Sequence, residues 1–100
     1  MANQHKLEVR LIMKIANDFI LREIAGDYLV IPTGNTALSF NGLITLNEIG
    51  SFLWKQLEED RTLEDLIEAI LEEYDIDYDT AKVDIEDFLE YLQEKDLLTK

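Results

Sequence analysis

The sequence predicts an α+β domain, with a three-stranded antiparallel sheet in its first half followed by three helices in its second. Two observations carry this. Apolar residues alternate with period two in the first half and recur with period 3.6 in the second. Turn residues, Ala25-Gly26-Asp27 and Pro32-Thr33-Gly34-Asn35, divide the alternating half into separate strands.

The first strand is Phe19 to Ile24, and Gly26 gives the following turn the freedom to take positive φ. Tyr28-Leu29-Val30-Ile31 is β-branched and apolar and makes the second strand. The third is expected at Thr36 to Asn41, where Leu38 and Phe40 share one face while Ala37, Ser39 and Asn41 share the other. Successive hairpins make an antiparallel meander, which leaves the third strand at an edge.

Thr45-Leu46-Asn47-Glu48 fits a capping box, in which threonine and glutamate each satisfy a free backbone N–H at a helix start. The helix after it places Leu46, Ile49, Leu53 and Leu57 on one stripe with Phe52 and Trp54 on either side. So broad an apolar arc implies burial on several sides. Gly50 lets another backbone approach closely. The second helix starts at Thr62, with Asp65 three residues on, and carries Leu63, Leu66, Ile67, Ile70, Leu71 and Tyr74 at amphipathic spacing. The third starts near Asp77 and is expected to bury Tyr78, Ala81, Ile85, Phe88, Leu89 and Leu92. Asp84, Tyr91 and Lys95 fall on its flank, and Val83, Asp87, Glu90 and Glu94 face away. Leu97-Leu98 form a short extended tail. Three strands then three helices is an order compatible with a winged-helix-like arrangement.

One hundred residues with 47% apolar content suffice for one core and not two. There are no cysteines, so disulfides, thiolate metal sites and cysteine nucleophiles are excluded. No signal-like leader opens the chain and no apolar run approaches a membrane span, which reads as a soluble cytoplasmic protein with no membrane partner. Residues 1–50 hold five acidic and four basic residues, a net −1, and residues 51–100 hold seventeen and five, a net −12. A half this acidic repels phosphate backbones, which argues against nucleic acid and favours a partner carrying lysine or arginine.

Groups for catalysis are scarce, and no enzyme is expected. His5 is the only histidine and lies in a polar N-terminal segment. Ser39 and Ser51 have no sequence-evident base, and the glycines are scattered singly rather than clustered as a phosphate cradle. No cofactor is implied. Asp75, Asp77 and Asp79 with Glu86 imitate the spacing of a calcium loop, but Thr80 stands where the sharp turn wants glycine and the third helix begins inside the stretch. No metal site is expected there.

Val30-Ile31-Pro32, the run from Phe40 to Glu48, Phe52 to Leu57, Arg61 to Leu66, the Glu-Glu-Tyr-Asp segment at 72–75, Asp84 to Leu89 and Leu97-Leu98 occur in an order and spacing that resemble the PqqD-like family, the recognition elements of ribosomally made peptide natural products. The resemblance covers about Phe19 to Leu98. It implies a winged-helix-like fold and a non-catalytic role: binding the leader of a precursor peptide and presenting the core to a modifying enzyme, often a radical-SAM protein. It further implies that the leader adds as a strand to the third strand and lies against the third helix. The peptide-binding residues are then Thr36, Ala37, Leu38, Ser39, Phe40 and Asn41 on the edge, with Asp84, Asp87, Phe88, Tyr91 and Lys95 on the helix. Physically, a free strand edge offers unpaired N–H and C=O groups for β-augmentation.

Two departures stand out. Glu59-Asp60 replaces the Asp-Gly that many relatives carry before Arg61-Thr62, and residues 1–17 form an N-terminal extension to a domain at 18–100. Within that extension Lys6 to Ile12 alternates, as an ordinary extension, a segment added ahead of Met13, an extra strand on the sheet, or a strand that occupies the leader edge of its own or a neighbouring molecule. A monomer or weak dimer is expected. The alternatives are a winged-helix DNA-binding regulator, which needs a basic recognition helix, and a generic interaction module that dimerises through the same edge.

Overall fold

A computed structural model of the chain describes residues 11–39 and 44–99, Ser39 by its backbone alone. Its elements are β1 (Lys14–Ile15), β2 (Phe19–Ile24), β3 (Asp27–Pro32), a single helical turn α1 (Thr36–Ser39), β4 (Ile44–Leu46), α2 (Glu48–Gln56), α3 (Leu63–Glu73), α4 (Tyr78–Glu94) and β5 (Leu98–Thr99). The α+β prediction holds. Strands β2, β3 and β4 form an antiparallel sheet in that order, so β4 lies at an edge.

The β2–β3 hairpin falls where the alternation placed it, and its turn uses positive φ at both Ala25 and Gly26. The third strand does not. Residues 36–39 coil into α1 because the amides of Ala37 and Leu38 bond back to the carbonyls of Gly34 and Asn35 at 3.1 Å, with Gly34 at φ 59° turning the chain. The strand forms instead at Ile44–Leu46, registered as Tyr28↔Leu46, Leu29↔Thr45 and Val30↔Ile44. Phe40 and Asn41, the end of the expected strand, lie outside the described residues.

This shift moves the start of α2. Thr45 is taken up in the ladder, so the cap is Asn47, whose Oδ1 accepts from the Gly50 amide at 2.7 Å. For α3 the expected capping box is present: Thr62 Oγ1 accepts from the Asp65 amide, and the Asp65 carboxylate accepts from the Thr62 amide. Helix α4 starts at Asp77, which caps the Thr80 amide.

The core collects the inward face of every layer. Val30 and Ile44 from the sheet, Leu53, Trp54 and Leu57 from α2, Leu66, Ile67 and Ile70 from α3, and Ala81, Ile85 and Leu92 from α4 are all buried. Each large aliphatic side chain so buried contributes about 1.5–3 kcal/mol. Tyr78 was expected inside but is exposed, because its hydroxyl reaches across to donate to Glu64 Oε2 at 3.0 Å. Phe52 and Tyr74 meet edge to face with centroids 5.5 Å apart, and the Tyr74 hydroxyl donates to Glu48 Oε2, tying the end of α3 to the start of α2.

Both ends of the described stretch are stitched to this core. Met13 and Arg61 exchange backbone hydrogen bonds, the Ile15 amide donates to the Leu57 carbonyl, and β1 pairs with β5. Ile15 and Leu97 are buried. Of the N-terminal segment that alternates, residues 6–10 lie outside the described residues, while Leu11 and Ile12 are exposed and form no strand.

Candidate functional site

A cavity of about 420 Å³ opens between the first turns of α2 and the middle of α4. Its walls are Asn47, Ile49, Gly50 and Leu53 on one side and Asp84, Asp87 and Phe88 on the other. Two local features make it. The Asn47 cap starts α2 directly after β4, which brings the cavity beside the end of the edge strand. Gly50 then lets α4 close in, since a Cβ there would stand 3.1 Å from Asn47 Oδ1, 3.3 Å from Phe88 Cε1 and 3.4 Å from Leu46 Cβ.

At 100° per residue, Asp84, Asp87, Phe88, Tyr91 and Lys95 fall within an arc of about 100° on α4. The structure brings three of these together at the cavity; Tyr91 and Lys95 continue the same stripe beyond it. Those two pair with each other, the Lys95 ammonium lying 5.4 Å from the Tyr91 ring centroid, a cation–π distance. The Asp84 and Asp87 carboxylates are exposed and make no ion pair or hydrogen bond among the described residues. Because Asn47 spends its oxygen on the cap, its amide NH₂ is left free to donate at the cavity wall.

Beside the cavity, no strand pairs with the far side of β4 among the described residues. Ile44 and Leu46 point into the core face with Val30 and Tyr28, and Thr45 points out. Of the edge residues expected from sequence, Thr36 is held by its hydroxyl to Asp18 Oδ2 at 2.7 Å, Ala37 is exposed, and Leu38 is 87% exposed. Ile44, Thr45, Asn47 and Ile49 are not among the site residues expected from sequence, where Thr45 and Ile49 figure only as a cap and a core position. Their signals were an apolar–polar–apolar triplet of strand formers and an Asx cap ahead of a glycine.

Two hydroxyl-bearing side chains that chemistry would examine are spent on structure. Ser51 is buried and donates to the Glu48 carbonyl at 2.8 Å, and Tyr74 is engaged with Glu48. The helix that starts at Asp77 occupies the acidic stretch that imitates a calcium loop. No cluster of metal-ligating side chains occurs among the described residues, and no helix there is long and apolar enough to cross a membrane.

Fold and site define a small α+β domain whose sheet ends, among the described residues, in an edge strand beside a helical groove. The family model described as coenzyme PQQ synthesis protein D (PqqD) matches residues 29–98, and the chain belongs to that family. It is similar, at 30% identity and a TM-score of 0.68, to a structure described as TbiB1 in complex with the TbiA(beta) leader peptide, covering 85% of this chain and 93% of that one. A second structure, lasso peptide synthetase B1 complexed with the leader peptide, shares the fold at a TM-score of 0.69 and 14% identity, over 88% of this chain and 98% of that one. No curated protein matches the chain.

Proposed function

We propose that this chain is a non-catalytic recognition domain that binds the leader of a ribosomally made precursor peptide. The leader adds as a strand to the open side of β4 and lays its side chains into the groove against α4. The observation that carries this is the Ile44–Leu46 edge, unpaired among the described residues, which runs straight into Asn47 on the wall of the cavity shared with Gly50 and Phe88. Main-chain bonds along the edge supply register and affinity, and the cavity reads the alternate side chains that face it. The leader-bound TbiB1 structure, similar over most of both chains, supports the same reading.

The docking edge is thus Ile44–Leu46, and exposed Leu38 in α1 offers an apolar contact to the guest. Asp84, Asp87, Phe88, Tyr91 and Lys95 form the opposite wall. The rest of the precursor is presented to a modifying enzyme, often a radical-SAM protein in this family, by a cytoplasmic monomer or weak dimer. DNA binding gains nothing from α4, whose open stripe carries Asp84 and Asp87.

An amide-shift titration of labelled protein with the leader of a precursor encoded beside it tests the proposal. Shifts gathered at residues 44–53 and 84–95 are expected. Saturable shifts confined to α3 or the β2–β3 hairpin would move the site, and a leader that leaves all amides unmoved at millimolar concentration would count against docking.

A further inference from the structure

We propose that the cavity between α2 and α4 is a cation-accepting subsite that takes one lysine or arginine of the docked peptide. The inference rests on the leader-docking reading and adds to it the chemistry of one guest residue. The side-chain stem lies over Ile49, Leu53 and Phe88, and the charged head reaches Asp84 and Asp87 at the mouth.

Three observations converge on a cation. First, Asp84 and Asp87 stand one helical turn apart on the cavity wall, with no lysine or arginine in salt-bridge range among the described residues. Two like charges with no counter-ion repel an acidic guest and gain from a cation placed between them. Secondly, Ile49, Leu53 and Phe88 line the cavity beside its polar groups, which suits a long aliphatic stem with a charged tip. A purely apolar guest would cover those side chains but strip water from two carboxylates without pairing them. Thirdly, Phe88 presents a ring at the same place, so the bound cation meets an aromatic as well as two carboxylates. The next turn of the same stripe already shows that pairing within the chain, where Lys95 lies over Tyr91. The volume, about 420 Å³, lies within the ~300–1,000 Å³ common to ligand pockets.

Display selection of a randomised decapeptide library against the whole chain tests the subsite whatever the sequence of the natural leader. Selected peptides are resynthesised with each lysine replaced by norleucine, which keeps the stem and removes the charge. The expected result is a shared Lys or Arg position whose neutral replacement weakens binding about tenfold. Added salt narrows that difference. In the D84N/D87N protein the lysine and norleucine peptides bind alike, while D84E/D87E keeps the preference. The E68Q/E72Q protein, which loses the same charge on α3, keeps it too. Peptides that shift the Ile44–Leu46 amides yet bind equally with norleucine, or through a tyrosine or leucine at that position, overturn the subsite and leave docking intact. Peptides that leave those amides unmoved, or a library that yields no binder, overturn both.

Discussion

A Cβ on Gly50 would stand 3.3 Å from Cε1 of Phe88, so the width of the groove between α2 and α4 is set by the absence of one methyl group. Gly50→Ala gains up to about 1 kcal/mol of helix propensity. The new methyl cannot displace Asn47 Oδ1 easily, because the cap bond to residue 50 pins it, so the Phe88 ring gives way into the cavity. The expected outcome is a melting temperature within about 5 °C of the parent and peptide binding weakened about tenfold. Thermal denaturation and anisotropy titration of the same preparation check both halves.

Asn47 serves two purposes that substitution can separate. Asn47→Ala loses the α2 cap at a cost of about 1 kcal/mol, a fall of about 4–8 °C for a domain of this size. Asn47→Asp keeps the cap and adds a third carboxylate at the cavity. The aspartate variant therefore melts close to the parent, and binds cationic peptides at least as well.

Trp54 is fully buried, and its Nε1 finds no hydrogen-bond acceptor among the described residues. An orphaned buried donor carries a penalty that phenylalanine does not. Trp54→Phe is thus expected to cost about 1–2 kcal/mol, well short of the ~3–5 kcal/mol of Trp54→Ala. Urea denaturation followed by circular dichroism measures both.

The stability profile is expected to fall at both pH extremes for nameable reasons. Burial, then the neighbouring Glu48 carboxylate, raises the Tyr74 hydroxyl above its ordinary 10.0. The hydrogen bond to Glu64 raises Tyr78 in the same direction. A raised acid keeps its proton longer folded than unfolded, so this contribution is whole below pH 10 and is lost as pH rises through the folded values. Hydrogen bonds from the Thr80 hydroxyl and amide hold Asp77 below its ordinary 3.8. That contribution is whole above pH 3.8 and is lost as pH falls through the lowered value. Melting temperatures across pH 9.5–11.5 should decline less steeply in Y74F/Y78F, and those across pH 2–4.5 less steeply in D77N.

The features legible in the sequence are those that local chemistry decides. The Phe19–Ile24 and Asp27–Pro32 hairpin, the Thr62–Asp65 box and the α4 start at Asp77 each rest on side chains within a few residues of one another. The third strand was misplaced because Leu38 and Phe40 alternate as well as Ile44 and Leu46 do. Only pairing with Val30 and Tyr28, a tertiary contact, picks the second set. The α2 cap is undecided in the sequence for the same cause, since Thr45 is as good a cap as Asn47 until β4 claims it. The helix side of the groove follows only from the family resemblance, because periodicity alone puts Phe88 in the core, Asp84 on the flank and Asp87 facing away. Neither periodicity nor resemblance marks the other wall, because Ile49 and Gly50 become wall only once α4 packs across them.

The account turns on strand addition, and an N-methyl scan along a bound peptide tests it most directly. N-methylation removes one backbone donor at a time, and a guest paired to one edge uses every second N–H. Binding should fail at alternate positions and survive between them, in step with protection of the Ile44–Leu46 amides from hydrogen exchange. Losses that recur every three or four residues, or no pattern at all with β4 exchange unchanged, would show that the peptide sits in the groove without joining the sheet.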